Sequence, residues 1–363
     1  MSPVRDATAG ELATWDERTV RRPGGHVYQS RAWAEHRAST GWQPRFLVFG
    51  DGFGVLALLR PWPLVGGASA YLPRGPIPAD DPGLTAKRLV LAASFLFDAG
   101  VDVVAADPEV AAASPYLRLV RAAGFRQIEE IQPSRHRMSL PLGKGADEAA
   151  VFAVFARATR QRIRGAEAIG MTIVRHDAAA NAGAGEGFLA PSEPGPAALE
   201  RFYDLLRATG ERRRFAFGPR EAYLAWWRAA LEAGHLLYLE AQVEKEPIAG
   251  LLLHRHGGRL STVHSADRPE TRRAHPGALH LLRWRSIQLA VREGCTEMDL
   301  GGVDLPSARR PPREGEPTFG LYQHKRSFGA EWVELAGAHE KAFRPRRYAV
   351  GRTLARIGRL LGR

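Results

Sequence analysis

The stretch LLYLEAQVEKEPIAGLLLHRHGGRLSTVHS, residues 236–265, reads as three successive strands, Leu236–Gln242, Pro247–His254 and Arg259–Ser265. Glu244-Lys245-Glu246 separates the first two and Gly257-Gly258 the second two. Short apolar runs divided by polar or glycine-rich turns are the mark of an antiparallel meander. A helical pattern follows over Ala278–Arg292 and ends at Gly294, then a short strand, then Asp299 ahead of Gly301-Gly302. Glycine suits the position after a helix because the chain there often needs a positive φ.

The same order of parts occurs earlier. Leu84–Phe97 reads as a helix, Gly100 ends it, Val101–Ala106 is a buried strand, and Asp107-Pro108 follows. Two helix–glycine–strand–Asp segments in one chain point to two copies of one α/β unit. Around them, Arg45–Phe49 and Phe53–Leu59 form a hairpin across Gly50-Asp51-Gly52. His136–Leu140 is a strand, Asp147–Ile169 one long helix, and Met171–Val174 a further strand. Residues 177–197 and 304–317 read as loops, and helices are expected at 198–208 and 220–233. The expected division is a first domain of residues 1–146 and a second of 147–337, with 338–363 returning to the first.

Composition bounds the partners. The 363 residues are 45% hydrophobic and 25% charged, as in a globular protein of two domains. No apolar run is long enough to span a bilayer and the first residues lack a signal h-region, so a cytoplasmic protein, expected to be a monomer, is the reading. The single cysteine, Cys295, excludes an internal disulfide and a cysteine-built zinc site, and the twelve histidines show no metal-binding spacing. Neither a metal nor a cofactor is expected. The net charge of +12 favours a polyanionic partner. It is concentrated at the end of the chain, where Lys341–Arg363 holds eight basic residues and no acid, with Val350, Leu354, Ile357 and Leu361 at helical spacing. Such a helix either docks its apolar stripe on the protein or lies on an anionic membrane, or does both.

Meander, helix and short strand together give an α+β class in the order of an acetyltransferase-like (GNAT-like) fold. In that fold a loop at the start of the helix after the meander cradles a pyrophosphate with backbone N–H groups. Here the place reads Arg272-Arg273-Ala274-His275-Pro276-Gly277-Ala278, with its glycine late and a proline where a donor is needed. Acetyl-CoA is therefore disfavoured as a donor.

Several segments, taken in order, resemble the Fem-type aminoacyl-tRNA-dependent peptidyltransferases. They are Gln29-Ser30 with Trp33, Gly41-Trp42, Tyr71-Leu72-Pro73-Arg74-Gly75-Pro76, Asp107-Pro108, Arg160-Gln161-Arg162-Ile163-Arg164-Gly165-Ala166-Glu167, Asp299-Leu300-Gly301-Gly302 and Lys325-Arg326-Ser327-Phe328-Gly329. The resemblance spans nearly the whole chain. It implies two tandem acetyltransferase-like (GNAT-like) domains, here in the form without a coiled-coil arm, an aminoacyl-tRNA donor and, as acceptor, a peptidoglycan precursor, lipid-linked or nucleotide-linked. Other readings are a tRNA-dependent transferase acting on a peptide natural product or a protein N-terminus, an N-acetyltransferase, and a non-catalytic RNA- or membrane-binding protein.

The resemblance places Lys325 in the active-site channel, where an ammonium can stabilise an oxyanion or anchor a phosphate. Asp107, at a strand end, is the second catalytic candidate, to accept a proton or orient the acceptor amine; the alternative is a cap on a helix starting near Glu109. Arg220 and Tyr223 match positions that hold precursor phosphates, and Trp42, Arg74, His264 and Ser265 complete the substrate-binding set. At His264 the family often has a tyrosine, and near Trp42 Ser39 and Thr40 stand where some members have lysine. For the RNA backbone the candidates are Arg157, Arg160 and Arg164 on one helix face, with Arg212 and Arg213. Asp299 reads as structural, since Gly301-Gly302 already implies a tight turn.

Overall fold

The computed structural model describes residues 3–132, 136–178, 189, 191–192, 196–213, 219–303 and 310–360. The chain divides into two compact units, Met1–His136 with Glu334–Arg363, and Arg137–Val333.

The first unit begins with β1 (Val4–Asp6), α1 (Ala9–Ala13), α2 (Trp15–Thr19), a 3-10 turn at Val27–Gln29 and α3 (Arg31–Ser39). β2 (Gln43–Phe49), β3 (Gly54–Pro61) and β4 (Ala68–Leu72) form its meander. α4 (Pro82–Asp98) leads to β5 (Val101–Ala106), then α5 (Tyr116–Ala122) and β6 (Arg126–Gln127). The second unit runs β7 (His136–Pro141), α6 (Glu148–Ala153), α7 (Arg157–Ala168), β8 (Thr172–His176), β9 (Pro191–Ser192), α8 (Pro196–Arg213) and α9 (Arg220–Glu232). Its meander is β10 (Leu236–Val243), β11 (Glu246–His256) and β12 (Arg259–Asp267). α10 (Pro269–Ala274), α11 (Ala278–Arg292), β13 (Glu297–Asp299), α12 (Phe319–Arg326) and β14 (Glu331–Glu334) follow. β15 (His339–Ala342) and α13 (Pro345–Leu360) belong to the first unit again.

Each unit holds one sheet, and the two repeat a plan. The first has the order β1-β2-β3-β4-β5-β15-β6 and the second β14-β7-β13-β12-β11-β10-β8-β9. In both, the last meander strand runs parallel to the strand after the long helix: Leu72 opposite Ala106, and Ser261 opposite Asp299. A parallel pair needs a crossover, and α4 and α11 supply it. Asp81 caps α4 by accepting from the Gly83 N–H, and Pro82 opens the helix, where its missing N–H costs nothing. Gly100 and Gly294, after the two helices, have φ of 94° and 72°, which a side chain would strain. The second core packs Leu237, Leu239, Leu251 and Leu253 of the meander against Leu281, Leu282 and Ile287 of α11. Each such side chain contributes about 1.5–3 kcal/mol of burial.

The structure departs from the sequence reading in three places. The units divide at His136/Arg137 rather than at residue 146, because β7 pairs with β13, Leu140 opposite Met298, and so belongs to the second sheet. The expected helix Asp147–Ile169 is two helices. Asp147 does cap the first, but at Ala156 the backbone N–H turns to the Ser327 carbonyl, 2.8 Å away, and the chain restarts as α7. β8 begins at Thr172 and reaches His176, two residues beyond the expected strand. Parts of the expected loops at 177–197 and 304–317 lie outside the described residues. Among the described residues no helix exceeds the 18 residues of α8, and none is long and apolar enough to cross a membrane.

Candidate active site

In the second unit the parallel pairing of β12 and β13 ends at Ser261 and Asp299. β13 itself ends there. β12 carries a bulge there, since Leu252 faces His264 while the next residue, Leu253, faces Thr262. Bulges of this kind re-aim strands beside sites. The Thr262 hydroxyl is buried without a hydrogen-bond partner among the described residues. Asp299 accepts from the Gly301 N–H at 2.8 Å, which confirms its structural part in the turn. A Cβ on Gly301, where φ is 76°, would come within 2.9 Å of the Thr262 carbonyl and 3.4 Å of Lys325 Nζ. Only glycine allows this approach. Lys325, on the last turn of α12, is 4% exposed and donates to the carbonyls of Gly301 at 2.9 Å and Gly302 at 2.7 Å. A buried ammonium therefore stands at the end of the β12–β13 ladder.

A second group gathers on α8, α9 and β12. Arg220 opens α9, stacks over Tyr203 at 5.8 Å and pairs with Glu200 at 3.5 Å and Asp204 at 3.9 Å. Tyr223 touches Tyr203, Trp227 and His264, with ring centroids 5.5–6.1 Å apart. Burial pushes the His264 imidazole down to about 4, so it is neutral at physiological pH. Arg220, Tyr223 and His264 are thus brought together. Ser265, the next residue of an extended strand, lies opposite Leu251.

Asp107, Arg74 and Tyr71 form one buried cluster in the first unit. Asp107 is inaccessible to solvent; the Tyr71 hydroxyl donates to both its oxygens at 2.9 and 3.0 Å, the Arg74 N–H donates at 2.7 Å, and the Arg74 guanidinium lies 3.6 Å away. No helix starts at Glu109, so Asp107 caps none; it ties down the turn at Arg74, whose φ is 51°. Burial is the largest influence on its carboxyl and pushes it up to about 6, although Arg74 and the Tyr71 hydroxyl favour the ionised form. Burial opposes the Arg74 charge, yet Asp107 and Glu109 hold its proton more tightly than usual. Trp42 lies under two guanidiniums, Arg37 at 5.3 Å and Arg60 at 5.6 Å, and the Arg37 charge interacts with Tyr71.

The RNA candidates are placed unevenly. Arg157 and Arg164 are exposed on α7, with Arg164 over Phe152 at 5.6 Å, whereas Arg160 is half-buried and donates to the Ala153 carbonyl at 2.6 Å. Arg212 and Arg213 close α8, but their side chains lie outside the described ones. At the place where the fold can carry a pyrophosphate cradle, α10 runs to Ala274 and a turn at 275–277 leads into α11. Gly277 then packs α11 on α7, since a Cβ there would come within 2.6 Å of the Arg162 carbonyl. The sequence reading passed over Tyr71, which its place in the Tyr-x-Pro-Arg-Gly-Pro segment could have signalled, and Arg283, which no local pattern marks.

The sequence model of the acetyltransferase (GNAT) domain matches residues 153–326. A lipid II:glycine glycyltransferase of Staphylococcus aureus is 24% identical over 384 aligned positions, which cover 87% of each chain. The crystal structure of FemX superposes with a TM-score of 0.77 at 18% identity, over 96% of this chain and 99% of that one. This chain is related to the Fem-type transferases. The likeness to FemX is one of fold, and runs through both acetyltransferase-like units of the Fem-type chain. The structure of L-PGS from Bacillus licheniformis is also similar, more distantly, with a TM-score of 0.52 at 14% identity over 99% of this chain and 98% of that one.

Proposed function

We propose that this chain transfers an amino acid, with glycine the first to test, from an aminoacyl-tRNA to an amine on the stem peptide of a lipid-linked peptidoglycan precursor. One observation carries the reading: in a scaffold similar to the Fem type, a buried lysine ammonium stands at the end of the β12–β13 ladder, on the carbonyls of Gly301 and Gly302. An ester on ribose is activated, so amide formation is downhill. The protein's task is to seat the amine against the carbonyl and to stabilise the oxyanion. Lys325 supplies the cation. Tyr223, His264 and Ser265 line the acceptor's path with Arg220, while Trp42 and Arg74 bind on the first unit. Arg157, Arg160, Arg164, Arg212 and Arg213 hold RNA phosphates without reading bases. Asp107 acts as a positioning residue: its oxygens are occupied by Tyr71 and Arg74, and it fixes their turn.

The test is incubation of the protein with tRNA charged with glycine, alanine or serine and with lipid-linked pentapeptide, read by mass spectrometry. A gain of one or more amino-acid residues on the stem peptide is expected. Coenzyme A thioesters should give none. No mass gain with any charged tRNA, or acetylation from acetyl-CoA, sinks the proposal.

A lipid-linked acceptor brings the first unit to a membrane. Leu64, at the tip of the β3–β4 turn, is 94% exposed. Beside it, Trp62 lies 6.0 Å from Tyr348 of α13. Buried Asp102 docks the start of α13 by binding Arg344 at 3.3 Å and Arg347 at 2.9 Å, while Arg346, Arg352 and Arg356 face solvent. An apolar tip beside a basic helix suits anionic lipid. Co-sedimentation with phosphatidylglycerol vesicles is expected, and with phosphatidylcholine vesicles it is not. Leu64→Glu should weaken it about tenfold, the effect of one lost leucine insertion. Equal binding by the variant and wild type would remove Leu64 from the contact.

A further inference from the structure

Arg283 of α11 is 2% exposed. Its Nε donates to His324 Nε2 at 3.0 Å, its Nη1 has no hydrogen-bond partner, and among the described residues no carboxylate pairs with it. The same unit treats another deeply buried arginine differently. Arg175 meets Asp177 at 2.6 Å and Glu293 at 3.6 Å. The less deeply buried Arg255 follows suit, on Asp177 at 2.8 Å and on Glu293 at 2.7 Å. A buried guanidinium without a counter-charge is costly, and burial alone pushes its pKa down to about 10. A ligand that brings the missing charge would offset that cost.

Around Arg283 stand two imidazoles and one further guanidinium. The rings of His324 and His280 meet edge-on at 4.7 Å, and Arg162 Nη1, on the exposed side of α7, lies 3.4 Å from His280 Nε2. Burial first, and the neighbouring cations second, hold His280 at about 4 and His324 at about 2, so both rings are neutral. The set runs from solvent at Arg162 to the interior at Arg283. It lies on α7, on the first two turns of α11 and on α12. The α11 N-terminus has Gly277 as its N-cap and no side-chain cap, and the helix dipole adds positive potential there. His324 directly precedes Lys325 in the chain.

We propose that Arg283, His324, His280 and Arg162 form a pocket for a phosphate group of the acyl donor, beside Lys325. This rests on the donor reading given above: an ester on the terminal ribose of an RNA carries a phosphodiester on the other side of the same sugar. The guanidinium fork grips two phosphate oxygens, the exposed Arg162 closes over them, and the neutral rings donate or accept as the anion requires.

The test measures thermal stabilisation and affinity with two probes, inorganic pyrophosphate and the trinucleotide CCA, for wild type, Arg283→Met and Arg162→Gln. Both probes should raise the melting temperature of the wild type, and each variant should bind them at least about tenfold more weakly, the usual loss for a charge-assisted hydrogen bond. Without ligand, Arg283→Met should melt above wild type, because an unpaired buried charge is gone. Arg162, being exposed, gives a variant whose folding is not in question. Absence of binding by wild type, or equal binding by all three proteins, overturns the pocket. So does a ligand-free Arg283→Met that melts well below wild type while Arg162→Gln binds normally, which would mark Arg283 as a structural cation. Pyrophosphate bound through Arg283 with the trinucleotide ignored would support the anion pocket and overturn the RNA-linked donor instead.

Discussion

Lys325→Met is expected to lower kcat for aminoacyl transfer by about a hundred- to a thousandfold, the loss typical of one preorganised oxyanion donor. The methionine keeps the apolar stem and removes only the ammonium. Two carbonyls, Gly301 and Gly302, lose their donor, so stability should fall as well, by about 1–3 kcal/mol. The two effects separate in kinetics. If the lysine acts on the reacting carbonyl, kcat falls while the KM for charged tRNA stays near that of wild type. A purely structural lysine predicts the reverse, a weaker fold and a near-normal rate in the molecules that remain folded. Transfer within threefold of wild type, measured on protein shown to be folded, removes Lys325 from the chemistry.

Asp107→Ala should destabilise the first unit by about 3–5 kcal/mol, the usual cost of removing one partner from a buried ion pair. It strands the Arg74 guanidinium, the Arg74 N–H and the Tyr71 hydroxyl together. Asp107→Asn keeps an acceptor and the shape, and should cost much less. The acid also sets a pH dependence. Its folded pKa, about 6, is above the unfolded value of 3.8, so the folded chain takes up this proton first as pH falls. The stabilisation from this group is full below about pH 4 and is lost as pH rises through 6. The shift corresponds to a contribution on the order of 3 kcal/mol. Denaturant unfolding between pH 4 and 7 should show this slope in wild type and not in Asp107→Asn. The same slope in both proteins would assign it to another group. A positioning role further requires that Asp107→Asn raise the KM for the acceptor more than it lowers kcat.

The parts of this molecule legible in its sequence are those fixed by neighbours along the chain. Gly100 and Gly294 mark helix ends through a backbone conformation that other residues avoid, and the leucine runs of β10–β12 with their turns can hardly be anything but a meander. Features that depend on distant partners were hidden. Ala156 breaks a pattern that is helical throughout because Ser327, far along the chain, takes its N–H. β7 reads equally well as the close of one domain or the opening of the next until its partner β13 is known. The site divides in the same way. Asp107 and Lys325 stood out by their motifs, but not what holds them. Arg220, expected to face phosphate, carries its own acids, Glu200 and Asp204, from α8. Arg283 sits in HLLRWRSIQL, residues 280–289, where a helical arginine ordinarily faces water, and nothing local says that this one is enclosed.

β15 has a consequence for how the protein is made. It lies between β5 and β6, with Glu340 opposite Ala105 on one side and Arg126 on the other, and the Glu340 carboxylate also binds the Arg126 guanidinium at 2.7 Å. During synthesis β5 emerges from the ribosome more than two hundred residues before the strand that covers its edge. The whole second unit can complete its own sheet while the earlier one still waits with an open seam. The first unit to be translated is therefore the last to be sealed, and the newborn chain carries an exposed strand edge for most of its time on the ribosome.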